Sequence, residues 1–309
     1  MLNSEYFWKN FRLGSELQIA GTFIYNALYS FDNMESFFYE HECFEFLYNA
    51  SVGIERLEKI ALILLEHNSN FDQNEFEKTL LTHSHIDLLG RIKKFKELNL
   101  GKTHNKFLQL LTNFYKSSRY DRYNFSSVFH PNQEQKQLVE FIQENLNLEI
   151  EYSSFFPTAI DNQIRKFIGK IILKISTTLY DLIRERAYEL KTFTYEIVSF
   201  SKAYKIFMEQ EYSFEKERNL QKEIIVSLIN NNKEDGFFKF VETIKPLDLK
   251  MYSPNTYVNF LTNVQKNRFI LDELDYLQEE YGFDKERQWS IDAIGASIDF
   301  DEMDEDEKE

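Results

Sequence analysis

The first proline in this chain is Pro131, and all 309 residues contain only four prolines and nine glycines. A β-rich chain of this length reverses direction many times and needs turn residues at each reversal. With so few, the backbone is largely confined to helices joined by short polar loops, and the expected fold class is all-α. Hydrophobic residues make up 43% of the chain, with 30 Phe and 18 Tyr, enough to build a core. The length suits two modest domains or one elongated helical body.

Apolar spacing locates the helices. Leu17, Ala20, Ile24, Ala27 and Leu28 recur at helical intervals between Gly14 and Tyr29. A second stripe, Leu47, Ala50, Ile54, Leu57, Ala61 and Leu64, belongs to a helix expected from about Met34 to His67, with room for a break near His41, and begun by an Asp32–Glu35 capping box. Glu55 and Lys59 form an i, i+4 pair expected on its outer side. Asp72–Glu75 and Ser84–Asp87 read as two further capping boxes; the latter puts His85 in the first turn of a helix to about Leu98. Thr103 is expected to cap the next helix, lined by Phe107, Leu110, Leu111 and Phe114. A helix follows over about 132–145, and Leu148–Tyr152 alternates like a short strand. Pro157 is placed in the first turn of a long helix carrying Ile164, Phe167, Ile168, Ile171, Ile172, Ile175, Leu179 and Leu182. Helices are then expected at about 192–210, 214–230, 236–244 and 256–281. The domain reading is a helical bundle over 1–150, a C-terminal helical region over 151–290 and an acidic disordered tail over 291–309.

The net charge of −15 argues against a general nucleic-acid coat protein. The charge is uneven, however. Phe300–Glu309 holds seven acids and one Lys, whereas from Arg91 to Arg122 nine Lys or Arg face only Glu97 and Asp121. That basic stretch also contains or adjoins Phe95, Phe107, Tyr115, Tyr120, Tyr123 and Phe125. Cations that engage phosphates and rings that stack on bases would suit RNA, although Phe107 falls on the core stripe. A solvated basic face or a dock for an acidic partner reads equally from the same residues.

Cys43, the single cysteine, sits among Phe44, Phe46 and Leu47 and reads as a buried apolar residue. With no Cys pair, no HExxH and only one residue between His83 and His85, a metal site is disfavoured; Gly-rich phosphate loops are missing too, so no cofactor is expected. Met1–Arg12 lacks the pattern of a signal peptide and no run of about 18 apolar residues occurs, so a cytoplasmic protein without membrane contact is expected.

The run Phe46-Leu47-Tyr48-Asn49-Ala50-Ser51-Val52-Gly53-Ile54-Glu55-Arg56-Leu57-Glu58-Lys59 resembles the second-helix signature of HEPN domains, a small-residue step followed by an acid and a base. Thr82-His83-Ser84-His85-Ile86-Asp87-Leu88-Leu89 is similar to the His-containing helix start that often follows. Arg119-Tyr120-Asp121-Arg122-Tyr123 falls where such domains carry an arginine-bearing motif. The resemblance covers about Ser15 to His130. It implies an antiparallel bundle of four or five helices, usually a homodimer. Many members are metal-independent ribonucleases of toxin–antitoxin, abortive-infection or other antiviral defence systems, some acting with a protein partner from the same system. Their motif is Arg, four to six residues, then His; here seven residues separate Arg122 from His130.

Metal-free RNA cleavage needs a base for the 2′-hydroxyl, an acid for the leaving oxygen and a cation for the phosphorane. The candidate catalytic set is Arg119, Arg122 and His130, with His85 as a further partner. Set against these are ion pairing of the arginines with Asp121, a pre-proline structural role for His130, and a helix-start or interhelical contact for His85. The leading expectation is an RNA-targeting endoribonuclease. The alternative is a non-catalytic helical module that binds a protein partner.

Overall fold

The computed structural model describes residues 4–296 apart from 69, 71, 119, 121–122, 130–131, 154–155, 193–196, 231–235, 264–267 and 282–284. The described residues form helices and loops with no strand; their one β feature is an isolated antiparallel bridge between Ser36 and Ala159. The chain divides into two compact units, Met1–Phe214 and Glu215–Glu309. The division therefore falls some way beyond the expected 150, and the long Ile-rich helix belongs to the first unit.

In that unit α1 (Ser4–Phe7) runs through a π-helical stretch, Trp8–Arg12, into α2 (Leu13–Asn33). It is followed by α3 (Glu40–Glu66), α4 (Gln73–Thr79), α5 (His85–Ile92), α6 (Lys102–Asn113), α7 (Gln133–Leu146), α8 (Asn162–Glu189) and α9 (Lys202–Phe207). Both N-terminal stripes are buried as expected: Leu17, Ala20, Ile24, Ala27 and Leu28 on α2, and Leu47, Ala50, Ile54, Leu57, Ala61 and Leu64 on α3. α3 is more enclosed than a surface helix, because Ile60, Leu62 and Ile63 are buried as well. The helices α2 and α3 are antiparallel: Phe31 touches Phe46, Ile24 meets Gly53 and Glu16 pairs with Arg56. Gly53 sets their separation, since a Cβ there would lie 2.7 Å from Ile24 Cγ1 and 3.0 Å from the Ile24 backbone nitrogen.

The Asp32–Glu35 pair does not start a helix. Asp32 lies in the last turn of α2, and the chain leaves the helix at Met34. Met34 and Phe37 are driven into the core, and the Glu35 carbonyl accepts from the Ile160 amide at 2.8 Å. α3 then starts at Glu40, with no side-chain cap. The last turn of α2 holds no basic residue, so its carbonyls are met from elsewhere. Arg165 of α8 donates to the carbonyls of Phe31 (3.0 Å), Asp32, Met34 (2.7 Å) and Ile160 (3.1 Å). At the other end of α8, Arg186 Nε donates to the Leu64 carbonyl at 3.4 Å, so α8 lies along α3 in the same direction.

The capping residues Asp72 and Ser84 behave as expected, accepting from the Glu75 and Asp87 amides at 3.0 and 3.4 Å. α5 stops at Ile92, short of the expected Leu98. Gly101 is the N-cap of α6, and His104 Nδ1 accepts from its amide at 3.2 Å; Thr103 is already helical and donates across to Asn145. α7 is flanked by Asn132 and Asn147, both left-handed at φ 60° and 53°, where Asn is tolerated. Leu148–Tyr152 forms no strand. Ile150 is buried from a loop closed by the Thr158 amide on the Glu151 carbonyl at 2.7 Å. Pro157 lies before α8, whose N-cap is Asp161, bonded to the Ile164 amide at 2.9 Å. Of the helix expected over 192–210, the described residues form α9 alone, and 193–196 lie outside them.

The second unit contains α10 (Glu215–Asn230), α11 (Gly236–Thr243), α12 (Pro254–Thr262), α13 (Ile270–Tyr281) and α14 (Lys285–Ala293). The helix expected over 256–281 is thus replaced by two, and α14 takes in the start of the expected tail; residues 297–309 lie outside the described set. Its organising contact is Glu273, which accepts from the Lys250 and Met251 amides at 2.8 Å and from the Tyr257 hydroxyl at 2.7 Å. No helix among the described residues is long and apolar enough to cross a membrane.

Removing the Arg165 guanidinium strips the end of α2 of its donors. Arg165→Ala is expected to lower unfolding free energy by about 2–3 kcal/mol, and Arg165→Lys to recover only part, lacking the planar fork. Urea unfolding midpoints of the three proteins measure this.

Candidate functional site

Three of the four expected site residues, Arg119, Arg122 and His130, lie outside the described residues. The fourth, His85, is the first residue of α5 and its side chain is 0% exposed. Its Nδ1 lies 2.8 Å from Glu58 Oε2 and its Nε2 2.9 Å from Ser51 Oγ. Ser51 and Glu58 are seven residues apart on α3 and so share one face two turns apart. Both are also fully buried. With Nδ1–H donating to the carboxylate, Nε2 accepts from the Ser51 hydroxyl. Carboxylate, imidazole and hydroxyl stand in the order of an activated serine. Burial gives Ser51 no route to a substrate, and it gives His85 no free face for an RNA chain. The geometry places His85 as the interhelical contact weighed against catalysis in the sequence.

Burial pushes the Glu58 carboxyl above its ordinary range, against the opposing pull of His85. Its second oxygen, Oε1, has no hydrogen-bond partner among the described residues. A polar cluster of this kind in an apolar interface is costly to break and holds α5 in one register on α3.

The same face of α3 continues toward the surface through Glu55 and Lys59. The expected Glu55–Lys59 pair is formed, at 2.6 Å, but Glu55 faces inward and is 7% exposed. The reason is His83, whose Nδ1 lies 3.0 and 3.1 Å from the two Glu55 oxygens. Unlike His85, the His83 side chain is 46% exposed, and its ring stacks on Tyr115 at 4.3 Å. Ser51, Glu55, Glu58 and Lys59 are spaced i, i+4, i+7 and i+8, one polar stripe on an otherwise apolar helix. The i, i+4, i+7, i+8 spacing is legible in the sequence, whereas nothing local in the sequence marks the half-exposed His83 at its end. Arg56, on another side of α3, pairs with Glu16 and lies over the Phe23 ring.

Much of the basic stretch is neutralised locally. Arg91 pairs with Glu66, Lys96 with Glu185 at 2.7 Å, Lys106 with Glu144 at 2.9 Å and Lys116 with Asp87 at 3.7 Å. Lys93, Lys94 and Lys102 have no ion pair among the described residues. The rings divide as the stripe implied: Phe107 is in the core and Tyr115 half-buried, whereas Phe95, Tyr120, Tyr123, Phe125 and Phe129 are exposed, Tyr123 and Phe125 by 86% and 87%. Among the described residues no group of three His, Cys, Asp or Glu could hold a metal ion. Burial lifts the Cys43 thiol to about 12, leaving it unreactive.

Two outcomes follow from the buried cluster. His85→Ala leaves Ser51 and Glu58 buried without their partner and is expected to cost about 3–5 kcal/mol in denaturant unfolding. A carboxyl whose folded-state proton affinity is raised loses its contribution as pH climbs through the folded value. Glu58→Gln does not titrate, so its stability relative to the parent is expected to increase from pH 5 to pH 8, as read by unfolding midpoints at each pH. Comparison of the chain with models of known protein families, with curated proteins and with solved structures finds no match.

Proposed function

We propose that this protein is an RNA-targeting, HEPN-like endoribonuclease that works without a divalent metal, as a homodimer in a phage-defence or toxin-like system. The observation that carries the reading is the set of outward-facing rings at Tyr120, Tyr123, Phe125 and Phe129, interleaved in sequence with Arg119 and Arg122. Exposed rings of this size lose water-excluded contact area in solution and gain it by stacking on unpaired bases, while neighbouring guanidiniums hold phosphates. The α2–α3 antiparallel pair, which carries the HEPN-like run, adds support. In this reading Arg122 supplies the cation for the phosphorane, with Arg119 as a second cation.

A helical module that binds a protein partner is the second reading, and α10 favours it. None of its residues is buried, and Leu220, Ile224, Val226, Leu228 and Ile229 are all exposed.

The test is incubation of the purified chain with single-stranded RNA in EDTA. Cleavage leaving 2′,3′-cyclic phosphate ends, lost in Arg122→Ala, is the expected result. The Tyr123→Ala and Phe125→Ala variants are each expected to weaken RNA binding about tenfold, within the range of about 1–3 kcal/mol per stacked base. Failure to bind or cut any RNA, together with recovery of a stoichiometric protein partner, would favour the second reading.

A further inference from the structure

We propose that His83, held by Glu55, is the general base of this protein's RNA cleavage, rather than His130 or the buried His85. The inference rests on the ribonuclease reading above and assigns that reaction a residue within the described structure.

Four observations converge on His83. Its side chain is 46% exposed, against 0% for His85 two residues later, so it alone of the pair meets solvent. Its Nδ1 is engaged by both oxygens of Glu55, at 3.0 and 3.1 Å. Glu55 is itself anchored on α3 and bonded by Lys59 at 2.6 Å, which holds the carboxylate in place. Finally, the ring is stacked on Tyr115 at 4.3 Å and 27°, which fixes its plane.

A carboxylate that accepts from Nδ1–H sets the tautomer, so the Nε2 of the neutral ring carries the lone pair. Nε2 has no hydrogen-bond partner among the described residues. The side chain is thus oriented, partly solvent-facing and ready to accept a proton, the arrangement that acid–base catalysis requires. Tyr115, on which the ring stacks, stands four residues before Arg119 in the chain.

In the proposed step the 2′-hydroxyl of a bound ribonucleotide gives its proton to His83 Nε2. The O2′–phosphorus bond forms and the phosphorus–O5′ bond breaks. The departing O5′ takes a proton from water, and the imidazolium later returns its own to solvent. The products are a 2′,3′-cyclic phosphate and a 5′-hydroxyl. Glu55 is a positioning residue, and Lys59 holds it.

The experiment follows cleavage of a mixed-sequence single-stranded RNA by the full chain in EDTA, with binding measured separately by fluorescence anisotropy. His83→Ala is expected to lower kcat at least a hundredfold with RNA binding unchanged. Glu55→Gln is expected to lower kcat about tenfold at unchanged KM, with partial rescue by Glu55→Asp. A purely structural role for Glu55 would not give that split. Circular dichroism confirms that each variant is folded; if Glu55→Gln unfolds, the exposed His83 position alone decides. Cleavage by His83→Ala at the parental rate overturns this inference and leaves the ribonuclease reading standing. RNA binding without any cleavage by the parent overturns both.

Discussion

Nearly every element of the first unit is arranged around one constraint: over much of its length α3 has little solvent face. Its apolar positions are covered by α2 and α8, and its close approach to α2 is permitted by the missing side chain at Gly53. Polar side chains on the enclosed face of such a helix are cut off from water and are held by protein partners instead. Ser51 and Glu58 find His85, Glu55 finds His83 and Lys59, and Arg56 finds Glu16. The segment before and into α5 is positioned by those demands, and the difference between its two histidines follows. One closes the polar seam from within; the other sits where the seam reaches the surface.

This contrast separates stability from chemistry in a short segment. His85 contributes to holding two helices together and loses access as a result. His83 keeps access because its partner approaches it on one nitrogen only. An imidazole serving as a base needs one nitrogen fixed and access to solvent, and of these two histidines His83 meets both conditions.

Features carried by neighbours in sequence were readable from residue order. The all-α class follows from the scarcity of turn residues, and the apolar stripes of α2, α3 and α8 fall where helical spacing puts them. The caps Asp72 and Ser84 were also legible, since cap and partner lie three residues apart. The same spacing misled at Asp32–Glu35, because a local pattern does not distinguish a helix end from a helix start; Arg165 and Ile160, far along the chain, decide it. Thr103 was drawn to Asn145 rather than to a capping amide, and Ile150 alternates with its neighbours because one side chain is buried from a loop. At the site, Glu55 was expected to face outward as half of an i, i+4 pair. The pair exists, but His83, 28 residues away, turns it inward. Which of two nearby histidines faces the core depends on the packing of α5 on α3, and no local pattern encodes that.

The guanidinium that closes the end of α2 has a consequence for how the chain is made. Arg165 and the Phe31 carbonyl it binds are 134 residues apart. At a ribosomal speed of about 5–20 residues per second, roughly 7–27 seconds separate their synthesis. Throughout that interval the amino-terminal hairpin of the nascent polypeptide has unclosed carbonyls and an uncovered apolar flank. Co-translational completion of the first unit therefore waits on the arrival of α8.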